Sequence, residues 1–250
     1  VTGVQTCALP ISGLFFLKKK FKGKDKMIVK NWMSKDVITA DINHSLHTAM
    51  RLINKHGIGS LPVMKKGKMV GMVSAEDIRR ALITTHSSGE VQTTGAIDGT
   101  KVSEIMRENM FLVSLFSILD EVAEMLLRNN ISSAPVMDEN GDIAGIITKT
   151  DICKALISLS GKTNREFDFG FQVEDSPGSI KVITDIIRSL GGRIASILIS
   201  YDEVPEGFRN VFIRVYNIER ENLDKLKSKL IPAATMLYMF DYEKPSRQIF

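Results

Sequence analysis

Cysteine is nearly missing from this chain: 250 residues hold only Cys7 and Cys153. Cys7 falls in an opening stretch, "VTGVQTCALPIS", that is set apart below, and a single remaining thiol cannot close an internal disulfide. A reducing, cytoplasmic setting is therefore expected. No apolar run is long enough to span a bilayer, so no membrane partner is expected. His44, His47, His56 and His86 show no metal-ligand spacing with either cysteine, and no metal is predicted. No nucleophile–base–orienter set and no paired acids with a shared site can be picked out, which argues against an enzyme. Cys153, beside Ile152 on a predicted helix, is expected to pack inward.

A surplus of charge is missing as well, once it is located. Of 33 basic and 29 acidic residues, six Lys and one Asp lie in residues 1–26, which leaves 27 basic against 28 acidic in the rest. The body of the chain has no electrostatic pull toward phosphate backbones, so no nucleic-acid partner is predicted. Residues 1–26 do not begin with Met, and their first twelve resemble the translation of a sequencing adapter. A signal peptide would carry its lysines before its apolar run, whereas here residues 14–17 precede Lys18–Lys20. The expectation is that residues 1–26 stand outside the fold and that Met27 is the start.

What is present is a repeat. A shift of 73 residues lays 33–64 on 106–137: Met33 meets Met106, Leu46 meets Leu119, and Pro62-Val63-Met64 meets Pro135-Val136-Met137. One extra residue in the turn at 138–141 moves the offset to 74, which carries Gly71 onto Gly145, Asp77 onto Asp151 and Leu82 onto Leu156. A repeat of this length is a duplicated domain. In each copy apolar residues recur at helical spacing (Leu46, Ala49, Met50, Ile53; Leu119, Val122, Ala123, Leu126). A Pro-Val-Met strand follows, then a Gly-containing turn, a second apolar strand (69–73; 143–147) and a second helix. Residues 85–100 are polar and rich in Gly, Ser and Thr, as a linker would be.

Beyond residue 165 the pattern changes. Phe167, Phe169, Phe171 and Val173 alternate with polar residues or Gly, predicting a half-buried strand. "DSPGS" turns into a helix with Ile180, Ile183, Ile187 and Leu190 on one face, stopped by Gly191-Gly192. Strands at 193–201 and 208–216, a helix marked by Leu223, Leu226 and Leu230, and a strand at 234–241 complete βαββαβ, a ferredoxin-like order.

The repeated element that bears chemistry is Gly, two apolar residues, Ser or Thr, two variable residues, Asp: Ser74-x-x-Asp77 and Thr148-x-x-Asp151. A helix cap accounts for either tetrad alone. Both, however, stand in register at a strand-to-helix turn downstream of an apolar-Pro-Val strand. Free amides at such a turn suit an anion, and a carboxylate beside them suits a ribose diol.

On "GIGSLPVM…GKMVGMVSAEDIRRAL" and "NISSAPVM…GDIAGIITKTDICKAL", residues 28–157 resemble a tandem pair of CBS domains, a Bateman module. The resemblance implies an α+β fold of two β/α repeats, 27–84 and 101–160, paired about a pseudo-two-fold axis with two clefts for adenosyl ligands such as AMP, ATP or S-adenosylmethionine. It implies ribose contacts from Asp77 and Asp151, ribose or phosphate contacts from Ser74 and Thr148, and a site role for Arg80. Adenine contacts would come from Ile58, Gly59, Ser60, Leu61 and Pro62, and from Ile131, Ser132, Ser133, Ala134 and Pro135. Thr39 matches the family's polar residue ahead of the first helix, where Leu112 stands in the second repeat. Residues 166–243 resemble an ACT domain, on "VEDSPGSI", which implies a small amino acid near Asp175, Pro177 and Gly178 and a subunit interface. The combination resembles acetoin-utilisation proteins of the AcuB type.

The expected protein is a homodimeric regulator that senses an adenine nucleotide, signals through its ACT-like tail and requires no cofactor. The rivals are an enzyme or accessory subunit of acetoin utilisation and a ligand-free dimerisation scaffold. The two clefts are expected to be unequal: Lys65, Lys66, Arg79 and Arg80 stand near the first motif, while Asp138, Glu139, Lys149 and Lys154 surround the second.

Overall fold

A computed structural model describes residues 27–84, 99–244 and 246–250. The opening segment and most of the 85–100 linker, His86 included, lie outside the described residues. The chain divides into two compact units, one ending at Cys153 and one running Lys154–Phe250. No helix among the described residues is long and apolar enough to cross a membrane.

In the first unit each repeat builds a three-stranded sheet and two helices. The first has β1 (Ala40–Asp41), α1 (Leu46–His56), β2 (Ser60–Lys65), β3 (Lys68–Ser74) and α2 (Ala75–Thr84). The second has β4 (Val113–Ser114), α3 (Leu119–Arg128), β5 (Ser133–Met137), β6 (Ile143–Thr148) and α4 (Lys149–Leu159), the last crossing into the second unit. In each sheet the short first strand runs parallel to the second and the third antiparallel to it. Helix α1 begins where Ser45 accepts from the Thr48 amide at 3.2 Å, and it buries Leu46, Ala49 and Ile53. Helix α3 buries Leu119, Val122 and Leu126, the same three places. Strands β2 and β3 join through Lys66 and Gly67, both at positive φ (49° and 79°), as a two-residue hairpin turn requires.

Contacts between the repeats obey the sequence offset. The bridges Ile28↔Ile118 and Ser45↔Lys101 are one symmetry-related pair, and Ser34↔Ile146 and Met72↔Arg107 are another. Ser60 Oγ lies 2.6 Å from Ser133 Oγ, its own counterpart 73 residues on. The pseudo-two-fold axis therefore passes between these two serines. The lead-in of each repeat lies across the third strand of the other, close enough that Gly71 and Gly145 leave no room for a side chain.

The second unit contains β7 (Phe167–Glu174), α5 (Ser179–Ser189), β8 (Arg193–Ser200), β9 (Phe208–Tyr216), α6 (Leu223–Leu230), β10 (Thr235–Asp241) and β11 (Ser246–Ile249). The sheet order is β11-β10-β7-β9-β8, antiparallel throughout. Its core joins Phe167, Phe169 and Phe171 to Val211, Ile213 and Val215, and to Ile183 and Ile187 of α5 and Leu226 and Leu230 of α6. Two expectations need correction. β7 is the central strand and is not half-buried: Asp168 is held by Arg214 at 3.3 Å and Gly170 lies against Tyr238, so both faces are covered. The fully exposed strand β11 adds a sheet edge that the polar "SRQI" gave no reason to expect.

Candidate functional site

The β3–α2 junction is a reciprocal cap. Ser74 donates to Asp77 Oδ2 from its amide (3.0 Å) and its hydroxyl (2.6 Å), and the Asp77 amide donates back to Ser74 Oγ at 3.1 Å. Thr148 and Asp151 repeat this at the β6–α4 junction, at 3.1, 2.7 and 3.1 Å. The helix-cap reading of the tetrad is thus realised in both repeats. Whether it does more depends on its surroundings.

Those surroundings differ. Beside Ser74 and Asp77 opens a cleft of about 1290 Å³, walled by three segments. The first repeat contributes Gly59, Ser60, Ser74, Asp77, Arg79 and Arg80. The lead-in of the second repeat contributes Glu104, Ile105, Arg107, Asn109 and Phe111. The α3–β5 turn and beyond contribute Ile131, Ser132, Ser133, Pro135 and Lys149. Of the site residues read from sequence, the cleft collects Gly59, Ser60, Ser74, Asp77, Arg80, Ile131, Ser132, Ser133 and Pro135, whereas Thr39, Ile58, Leu61, Pro62, Ala134, Thr148 and Asp151 do not line it. Leu61 and Ala134 are core residues, and Asp151 is only 5% exposed.

Asp77 lines this cleft and turns one carboxylate oxygen to Arg107, which lines it too. Its Oδ1 accepts Nε of Arg107 at 3.0 Å together with a second, short contact from the same guanidinium. Burial works to raise the Asp77 carboxyl, but the Ser74 and Arg107 hydrogen bonds outweigh it and hold the group below its ordinary value. Four cations, Arg79, Arg80, Arg107 and Lys149, line the cleft together with the acids Glu76, Asp77 and Glu104. Arg79 pairs with Glu76 at 3.1 Å. Apolar Ile105, Ile131, Pro135 and half-exposed Phe111 supply surfaces for a flat ring, and backbone and hydroxyl groups at 59–60 and 132–133 supply polar edges.

Sequence proximity misplaces three of the expected cations. Lys65 and Lys66 sit at the hairpin turn, at the opposite end of β3 from Ser74, because Ser74 pairs with Ser60 and Lys68 with Lys65. Lys149, assigned to the second motif, lines the cleft of the first, since its amide donates to Ser132 O at 3.0 Å and folds the start of α4 over the α3–β5 turn. Cys153 is exposed, because α4 turns Asp151 and Ala155 inward instead. Sequence reasoning missed Arg107, Asn109 and Phe111: they precede the second repeat's first helix, and tertiary packing brings them to the cleft, Arg107 onto Asp77 thirty residues upstream.

In the second unit, Asp175, Pro177 and Gly178 form an exposed turn between β7 and α5. Asp175 Oδ1 meets Arg209 at 3.0 Å, and the same guanidinium reaches Ser179 Oγ at 3.1 Å. Gly178 takes φ 92°, which favours glycine there.

Residues 29–84 and 102–158 each match the family model described as CBS domain. The chain is similar to the uncharacterized protein MJ1225 of Methanocaldococcus jannaschii, 30% identical over 129 residues, or 51% of this chain and 46% of that protein. It thus spans about half the length of that relative. It is 28% identical over 124 residues to the CBS domain-containing protein YhcV of Bacillus subtilis, covering 50% of this chain and 81% of that one. Among solved structures it is similar to the CBS domain pair of protein MJ0100 in complex with 5′-methylthioadenosine and S-adenosyl-L-methionine: 32% identity, 52% of this chain and 94% of that chain, TM-score 0.45.

Proposed function

From the tandem pair of CBS domains that this chain carries at 29–84 and 102–158, we propose a regulatory protein that binds an adenosyl ligand in the Asp77 cleft. The observation that carries this reading is the convergence of an outward carboxylate oxygen, four cations and an apolar floor in one opening between the repeats. A ribose hydroxyl suits the carboxylate, a phosphate suits Arg79, Arg80 and Lys149, and adenine suits the space between Ile105, Ile131 and Pro135. AMP or ATP fits this charge balance better than S-adenosylmethionine does. Because both repeats wall the cleft, a bound ligand favours one packing of the pair over others, which is the step a sensor needs. The second unit is read as an ACT-like domain of ferredoxin-like order that associates with a second copy and takes a small amino acid near Asp175, Pro177 and Gly178. Its exposed turn and the apolar edge strand β8 support that reading.

The test is titration calorimetry and thermal unfolding of the full chain with AMP, ATP, adenosine and S-adenosylmethionine. Saturable binding with a rise in unfolding temperature is expected, since a ligand of the folded state stabilises it by mass action. Ser132→Trp, at an exposed position on the wall, is expected to abolish binding without changing the unfolding temperature of the free protein. A flat response to the whole panel refutes the reading and favours the scaffold, and unaltered binding by Ser132→Trp places the ligand elsewhere.

A further inference from the structure

Asp77 commits its two oxygens to different tasks. Oδ2 is turned inward and satisfied by Ser74. Oδ1 receives two donors from Arg107, which lines the cleft with it. A carboxylate oxygen offers about two lone-pair directions, so the arginine fork fills the capacity a ribose hydroxyl would need. The Asp77 side chain is 11% exposed and that of Arg107 49%, so the cation covers the acid from the solvent side.

The geometry points to Arg107 as an internal competitor on Asp77, one that makes the cleft select for anionic adenosyl ligands. This inference rests on the reading that such a ligand enters the cleft. The Arg107 backbone is fixed: its amide donates to Met72 O at 2.8 Å and its carbonyl accepts from the Met72 amide at 3.0 Å. Only the half-exposed side chain has to move for Asp77 to be released. Once it does, the guanidinium has lost a charged partner inside a cleft that Arg79, Arg80 and Lys149 also line. A phosphate replaces that partner with a charge-assisted, bidentate one. Adenosine replaces it with nothing, and the sulfonium of S-adenosylmethionine adds a like charge. The exchange costs a phosphorylated ligand little and an uncharged one the full strength of the ion pair.

At the place that matches Arg107, the first lead-in carries Ser34. The symmetry that brings Arg107 to Met72 brings Ser34 to Ile146, and a neutral serine cannot form this ion pair with Asp151. Arg107 is thus a specificity-determining residue of the Asp77 cleft.

The experiment is calorimetry on the full chain with AMP and with adenosine at one fixed ionic strength, for the parent protein, Arg107→Ser and Arg107→Lys. Arg107→Ser is expected to weaken AMP and tighten adenosine, so that the AMP-to-adenosine affinity ratio falls by at least about tenfold, the scale of one charged hydrogen bond. Arg107→Lys keeps the charge without the fork and is expected to fall between the two. It also carries the test should the serine variant fail to fold. A ratio unchanged in both variants, or adenosine weakened along with AMP, overturns the competitor role while leaving the cleft reading intact. No binding of either ligand by any of the three proteins overturns both.

Discussion

Adding a single methyl group at Gly145 should separate the two repeats more than the same change at Gly71. A Cβ built on Gly145 stands 2.6 Å from Met33 Sδ, 2.8 Å from Ser34 O and 3.0 Å from Met33 Cγ. The thioether can swing aside, but Ser34 O is backbone. It accepts from the Ile146 amide at 3.0 Å, while the Ser34 amide donates to Ile146 O at 2.9 Å. Opening the contact to an ordinary separation means moving that bridge by several tenths of an ångström. At Gly71 the corresponding distances are 2.9 Å to Met106 Sδ, 3.0 Å to Arg107 O and 3.2 Å to Met106 Cγ, so less must shift. Overpacking a close contact costs about 1–3 kcal/mol. Replacing Gly by Ala returns about 0.4–1 kcal/mol by restricting the unfolded chain. The net expectation is a loss of about 1–2 kcal/mol for Gly145→Ala and about 0–1 kcal/mol for Gly71→Ala. Urea unfolding followed by tryptophan fluorescence is the suitable assay, because the chain's one tryptophan, Trp32, directly precedes Met33 and reports the first unit. Gly145→Ala as stable as the parent, or Gly71→Ala clearly the worse, would show that the lead-in does not hold the repeats together as described.

The second unit should lose stability in acid through Asp241, whose carboxyl the Arg220 hydrogen bonds hold down to about 2 from 3.8. A depressed carboxyl contributes stability above its unfolded value that is lost as pH falls from about 4 through 2. Circular dichroism is expected to show this acid limb shrinking in Asp241→Asn, by on the order of 1 kcal/mol because Arg220 is partly exposed to solvent; an identical limb in both proteins refutes the assignment. The proposed self-association should run through β8, an edge strand that exposes Ile197, Leu198 and Ile199. Size-exclusion chromatography is expected to show Ile199→Lys shifted toward monomer, and an unchanged elution volume rules that edge out.

The sequence made the duplication legible because both repeats need the same backbone: two amphipathic helices, a Pro-Val-Met strand and a Gly-led strand recur at one offset. The glycine's own reason was not legible. Gly71 and Gly145 are neither turns nor caps; each is small because the other repeat's Met and backbone carbonyl lie on it. Similar limits explain the misplaced lysines. Proximity in sequence put Lys65 and Lys66 beside Ser74, but an extended strand carries them to its far end. In the tail, alternation of Phe with polar residues indicated one buried face of β7, and only the sheet order shows that Arg214, Tyr238 and Tyr242 cover the other.

The pseudo-two-fold axis gives this molecule two closely matched backbones whose side chains diverge. Among the described residues every inter-repeat bridge has its counterpart, so the arrangement of main-chain groups at the two motifs is nearly the same. A ligand preference between the two motifs would therefore come from side chains at matched positions, and there the repeats diverge. Arg107 answers to Ser34, and Lys149 to Ala75. Both substitutions put the positive charge in the same cleft, the one that Asp77 faces, because Arg107 and Lys149 enter it from the second repeat while the first repeat supplies the carboxylate. On the proposed reading, a duplicated fold needs no change of backbone to turn one half into a phosphate site. Lys149 on the second repeat's second helix joins Arg79 and Arg80 in that cleft, and Arg107 on the lead-in reaches across the axis to the other repeat's Asp77.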